Sequence, residues 1–477
     1  MDKHESTLAD ALGPELAALA ARFESFEAAH PGASTARQPI HVVYGGAHLF
    51  RHDAAAKLGR LALRTLDAYG PSPFTFARAV ELPGASHLPV DQSRATSRYI
   101  TDPEALRRED PRAWLALTVY DRVRAKLERE PVEDFRIDFE DGFGYRPDDE
   151  EDATAVGTAQ ELAIGMRKGT LPPFIGVRIK ALGGRHTHRA LRTLDLFVST
   201  CVAEVGRLPD NFVVTLPKVA MPEQVATLVR AFELLERRHQ LEPGALRLEF
   251  MIELAHALFD DHGQLLLPRL LDAAAGRCTS AHFGTYDFTA TYGVTASCQR
   301  MDHPACDFAL DLMKASFAET GVHVVDGATN VLPVPRHRGH ELTAEQQREN
   351  LDTVHAAWRL SHRHIRQSLT RGYYQGWDVH PAQLPVRYAA SYAFFLEGLE
   401  PTATRLGNFL DQATKASLVG EVFDDAASGQ GLLNYFLRAL ACGAVTLAEL
   451  ERAGLSEAEL RTRSFARILE GRLAQHA

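Results

Sequence analysis

From residue 135 to residue 140 the chain alternates strictly. Phe135, Ile137 and Phe139 take one side, and Arg136, Asp138 and Glu140 take the other. A period of two is that of a β-strand with one apolar face. Short apolar runs of the same kind recur at 41–46, 174–180, 212–218, 246–253, 278–284, 322–327 and 376–381. Helical patterns lie between them. Residues 222–238 open with Pro222 in a first-turn position. Residues 343–369 open with Thr343 and Gln346 in capping-box spacing. Strand and helix alternate throughout, which points to a parallel sheet with helical crossovers. Eight such units predict an α/β fold, a (β/α)8 TIM barrel over residues 39–400. An open doubly wound sheet is the alternative.

Three regions depart from the repeat. Residues 1–38 read as an amphipathic helical segment. Residues 72–133 separate the first two strands by far more than one crossover, and predict an insertion over the barrel mouth with helices of its own. Residues 401–477 follow the eighth strand and read as a C-terminal helical domain, with capping boxes at Thr446–Glu449 and Ser456–Glu459.

Composition narrows the class. The 477 residues are 45% hydrophobic and 24% charged, the balance of a soluble globular protein. A formal net charge of -10 argues against nucleic acid or an anionic membrane as partner. No apolar run is long enough to span a bilayer, and the first residues lack the apolar core of a signal peptide. The five cysteines, at 201, 278, 298, 306 and 442, form no C-x-x-C pair, which fits reduced thiols in a cytoplasm.

The polar residues of the strands gather at one end. Asp138, Glu140 and Asp141 end the second strand, Arg178 sits on the third, Lys218 on the fourth and Glu253 on the fifth. Asp287 follows the sixth, Asp326 ends the seventh, and Asp378 and His380 end the eighth. Singly, each is a turn, a cap or an ion pair. Together, in a barrel, they ring the end that carries active sites. Crowded carboxylates repel unless a cation relieves them. Oxygen donors without clustered cysteine or histidine suit a hard divalent ion such as Mg²⁺, which binds through one or two carboxylates and keeps several waters.

The motifs "DFED", "GVRIK", "LPKV", "MIE", "FGTYD", "VVDG" and "WDVHP" stand in that order between about residues 40 and 400. This order resembles the superfamily of the citrate lyase beta subunit, the HpcH/HpaI aldolases and malate synthase. The resemblance implies a (β/α)8 barrel that binds Mg²⁺ (or Mn²⁺) and makes or breaks a C–C bond next to a 2-oxo acid of glyoxylate or pyruvate type. It implies Glu253 and Asp287 as metal ligands, and Arg178 as the contact to the substrate carbonyl. Asp138, Glu140 and Asp141 would hold metal-bound water, and Lys218 and His380 would bind substrate. Residues 424–428, Asp-Asp-Ala-Ala-Ser, resemble the malate synthase segment E-D-x-A-T, with Asp424 for Glu and Ser428 for Thr. That likeness implies Asp425 as the base that deprotonates an acyl-CoA. A CoA-independent aldolase, or a barrel that binds a metal and an oxo acid without turnover, is the alternative. A cytoplasmic homo-oligomer that acts on small molecules is expected.

Overall fold

A computed structural model describes residues 8–32, 36–184, 186–339, 341–419, 426–452 and 454–476. Eight strands form a closed barrel in chain order. They are β1 (His41–Gly46), β2 (Asp134–Asp138), β3 (Phe174–Arg178), β4 (Phe212–Leu216), β5 (Arg247–Ile252), β6 (Cys278–Phe283), β7 (His323–Ala328) and β8 (Gln375–Asp378). Every neighbouring pair is parallel, and β8 closes onto β1 with His41 opposite Gly376. The barrel, not the open sheet, is therefore the fold.

Alternation decides what each face carries. Phe135 and Ile137 of β2, Ile175 and Val177 of β3, and Val214 and Leu216 of β4 are buried. They belong to one apolar core with helix residues such as Leu162, Phe197 and Phe232. The other face of β2 points inward, and the barrel interior is polar. Arg136 donates to both oxygens of Glu249, each at 2.7 Å, and pairs with Asp134. Ser280 and His282 reach Glu249 at 2.9 and 3.0 Å, and Gln375 reaches Asp134 at 3.2 Å.

The insertion lies elsewhere than expected. Its longest helix, Pro111–Arg129, packs against Ala54–Tyr69, Pro73–Ala79 and Leu384–Val419. Arg107 pairs with Glu400 at 3.2 Å, and Arg122 with Glu449 at 2.7 Å. The segment therefore flanks the barrel, in contact with the C-terminal helices, instead of covering the mouth. Its buried stripe of Ala113, Leu117 and Tyr120 joins the common apolar core. The expected division at residue 401 falls inside the helix Leu384–Val419, which runs through Pro401. At the other end, helix Gly13–Ala29 buries none of its residues and leaves Leu16, Leu19, Phe23 and Phe26 exposed.

Candidate active site

The carboxyl ends of β2 to β6 bring one arginine, one lysine and five acids together. Arg178 closes β3 and is buried. Its Nε and Nη2 donate to the two oxygens of Asp138 at 2.7 and 2.6 Å. Asp138 also accepts from the backbone N–H groups of Glu140 and Gly142, at 2.9 and 2.7 Å. Its acceptors are thus spent on fixing Arg178 and the turn after β2, a role different from the water-holding one expected of it. The guanidinium stands 4.9 Å from the ring centre of Tyr44 and 5.8 Å from that of Trp377. Its Nη1 makes no hydrogen bond, and neither does the buried Oε2 of Glu140, 3.1 Å away. A fork held on one edge and unsatisfied on the other is poised for a ligand oxygen.

Lys218 lies two residues past β4 with φ of 48°, a left-handed conformation that costs a non-glycine residue energy. That turn lets its backbone N–H donate to Glu253 Oε1 at 2.7 Å. Its Nζ lies 2.6 Å from Glu140, 3.0 Å from Asp287, 3.6 Å from Asp141 and 3.9 Å from Glu253. Burial alone would lower the lysine, but the charges of Glu253 and Glu140 outweigh it and hold it well above its usual range. Such a lysine stays protonated, and is no Schiff-base nucleophile. Burial pushes Glu253 well above the usual carboxylate range, against the charge of Lys218. For the less buried Asp287, burial is outweighed by Lys218 and the result is a lowered carboxyl. Two acids of unlike environment thus face one cation. Gly284 permits this. A Cβ there would come within 2.5 Å of the Cβ of Glu253.

Do these residues fit a divalent ion? Among the described residues, no group of three or more His, Cys, Asp or Glu is gathered closely enough to hold one. Magnesium asks for less, since one or two carboxylates with waters and substrate oxygens suffice. Glu253 and Asp287 supply hard oxygen donors at the point where the acids already hold the positive charge of Lys218. The set fits.

Other expected members of the ring stand apart. Asp326 faces outward, accepting from Ser368 Oγ at 2.6 Å and from the N–H of Gly327 at 2.7 Å. Asp378 also faces outward, against Arg387 at 2.9 Å and His41 at 3.0 Å. Period two decides this, because Val325 and Trp377 take the inward positions beside them. His380 uses its Nδ1 to accept from the N–H of Ala382 at 3.1 Å, capping a short turn. Asp424 and Asp425 lie outside the described residues. The helix that follows them, Ala426–Cys442, brings its carboxyl-terminal part to the amino-terminal end of the barrel. Arg438 stands 4.1 Å from the ring centre of Tyr374, just before β8, and the Cys442 carbonyl accepts from Tyr392 at 3.0 Å. Tyr44 and Trp377, whose rings pack 4.3 Å apart beside the arginine, were not foreseen. Their inward register on the first and last strands was the available signal.

The family described as a domain of unknown function, DUF6986, matches residues 19–468. The chain belongs to the DUF6986 family. No curated protein matches this DUF6986 chain. Among solved structures it is similar to the Haloferax volcanii malate synthase magnesium/glyoxylate complex, at 18% identity and TM-score 0.36, over 55% of this chain and 66% of that one. It is similar to the M. tuberculosis citrate lyase beta subunit complexed with oxaloacetate and magnesium, at 18% identity and TM-score 0.33, over 57% and 92%. A Haloferax volcanii malate synthase with glyoxylate gives 13% identity and TM-score 0.38, over 66% and 89%. Likenesses this loose leave the chemistry to be read from the side chains above.

Proposed function

We propose that this chain is a Mg²⁺-dependent enzyme that makes or breaks the C–C bond beside the carbonyl of a 2-oxo acid. The observation that carries this reading is the pairing of an oxygen-donor set, Glu253 and Asp287, with the open edge of a clamped arginine at one barrel mouth. A bound Mg²⁺ would supply a Lewis acid and a template for the carboxylate and carbonyl oxygens of the substrate. Arg178 donates to the oxygen that gains charge as the bond forms or breaks, and Asp138 keeps it aimed. Tyr44 and Trp377 back the guanidinium and keep water from that side. Lys218, protonated, binds the substrate carboxylate or steadies the acids around it. Glyoxylate and pyruvate are the oxo acids proposed for it.

Two versions of the chemistry remain distinct. In the aldolase version the substrate is a hydroxy-oxo acid and CoA takes no part. In the synthase version an acyl-CoA is deprotonated by Asp425. Asp425 lies outside the described residues, so the two versions are separated by experiment. The synthase version needs Asp425 at the mouth, in the same chain or from a second copy. Asp425→Asn separates them. Under the aldolase version cleavage of the hydroxy-oxo acid is unchanged within about twofold, against the loss of about 10²–10⁴-fold expected on removing a general base. Exchange of acetyl-CoA methyl protons into D₂O by the wild type, lost in Asp425→Asn, would decide for the synthase.

The metal has a test that does not depend on turnover. Mg²⁺ at a hundred times its dissociation constant is expected to stabilise the wild type by about 2.7 kcal/mol. Glu253→Gln is expected to abolish the rise in melting temperature. An equal Mg²⁺-dependent rise in that variant removes Glu253 from the site.

A further inference from the structure

Buried cations in this chain follow one rule. Lys126, Arg136, Arg178, Lys180 and Arg387 are the buried lysines and arginines among the described residues. Each has its carboxylate: Glu133, Glu249, Asp138, Glu151 and Asp378 in turn. A cation taken out of water is costly without an anion beside it. Two half-buried cations depart from the rule together. Lys314, in the last turn of helix Pro304–Phe317, donates to the Gly372 carbonyl and lies 4.8 Å from the ring centre of Tyr373. Arg438 lies over the ring of Tyr374. Among the described residues neither pairs with a carboxylate, and both line one cavity of about 270 Å³.

The cavity lies at the amino-terminal end of the barrel, far from the mouth, since His323, the first residue of β7, lines it as well. Its other charged neighbours do not neutralise it. Arg37 is committed to Glu130 and Glu133. Glu319 and Arg463 are exposed and of opposite sign. Asp311, one turn before Lys314, is taken by Arg371. We propose that this cavity is a binding site for a small dianion, of phosphate or dicarboxylate kind, held between Lys314 and Arg438. The charges around the cavity support it. Burial, then repulsion by Arg438, lowers Lys314 to about 8 and His323 to about 4, so the cations destabilise one another while no anion is near. Burial lowers Arg438 as well. Phe317, Leu437 and the ring of Tyr374 give the cavity an apolar wall, which strengthens any ion pair formed there.

The test is calorimetric titration of the full chain with sulfate and, separately, with succinate, in a chloride buffer. Sulfate stands in for a phosphate and keeps its double charge across the pH range. The wild type is expected to bind at least one of the two, and the stronger binder names the source as phosphate or dicarboxylate. Arg438→Gln and Lys314→Met are each expected to weaken that binding by about tenfold or more, while Glu253→Gln leaves it unchanged. Sulfate affinity of the wild type should fall between about pH 7 and about pH 9.5 as Lys314 loses its proton. Should Arg438→Gln not fold, Lys314→Met and the wild-type pH series decide. The proposal is overturned if neither anion binds the wild type, or if Glu253→Gln removes the binding. It is overturned equally if affinity is unchanged both in the foldable variants and across the pH range.

Discussion

Arg178→Lys is expected to fold normally and to lose turnover by about 10²–10³-fold, the usual effect of removing a donor aimed at developing charge. Arginine does two jobs at once here. One edge is consumed by Asp138 through two parallel bonds, and on the other edge Nη1, 3.1 Å from Glu140 Oε2, makes no hydrogen bond. A lysine has a single ammonium and no fork. It can satisfy Asp138 or reach the substrate, but it cannot be fixed by one while serving the other. The Mg²⁺-dependent rise in melting temperature should survive, because Glu253 and Asp287 are untouched. Steady-state kinetics beside a melting curve with Mg²⁺ checks both halves. A near-wild-type kcat would make Arg178 a structural partner of Asp138 and nothing more.

Arg136→Met is the largest expected stability effect. Glu249 and Asp134 are buried inside the barrel, and Arg136 is the cation that serves both. Removing one partner of a buried pair costs about 3–5 kcal/mol, because the other charge is left uncompensated. Burial tends to raise Glu249, and the charge of Arg136 outweighs it and keeps the carboxyl well below its usual range. That lowered carboxyl contributes stability at neutral pH which is lost as the pH falls through its folded value. Arg136→Met should therefore melt well below the wild type near neutrality, and the gap should narrow in acid. The double variant Arg136→Met with Glu249→Gln should recover part of the loss. Equal melting temperatures for wild type and Arg136→Met would show that the interior is hydrated and the pair is worth little.

Much of this was legible in the sequence because period two is a strong signal. The alternation at 135–140 placed Arg136, Asp138 and Glu140 on one face, and the structure turns that face inward. Closing the barrel needed only eight repeats and their order. What was not legible was which way a polar residue past the alternating run would point. Asp326 and Asp378 stand at strand ends like Glu253, yet one residue of register sends them to the helices. The insertion was misplaced for a related reason. Its helices carry apolar stripes that name no partner, and the nearest apolar surface was the flank. The interior network was hidden differently. Glu249, Ser280 and His282 each looked like an ordinary strand residue, and only closure of the barrel brings them round Arg136. The open edge of Arg178 could not be read at all, since it depends on how Asp138 orients the fork.

Product analysis is the sharpest test of a metal-dependent C–C enzyme for 2-oxo acids. The purified protein is incubated with Mg²⁺ and a panel of hydroxy-oxo acids, then with glyoxylate or pyruvate with and without acetyl-CoA, and the products are followed by mass. Cleavage or formation of one C–C bond is expected, abolished by chelation of the metal and by Glu253→Gln, and reduced about 10²–10³-fold in Arg178→Lys. Binding of Mg²⁺ and an oxo acid with no product of changed carbon skeleton from any member of the panel would contradict it, and would leave a barrel that binds without turning over.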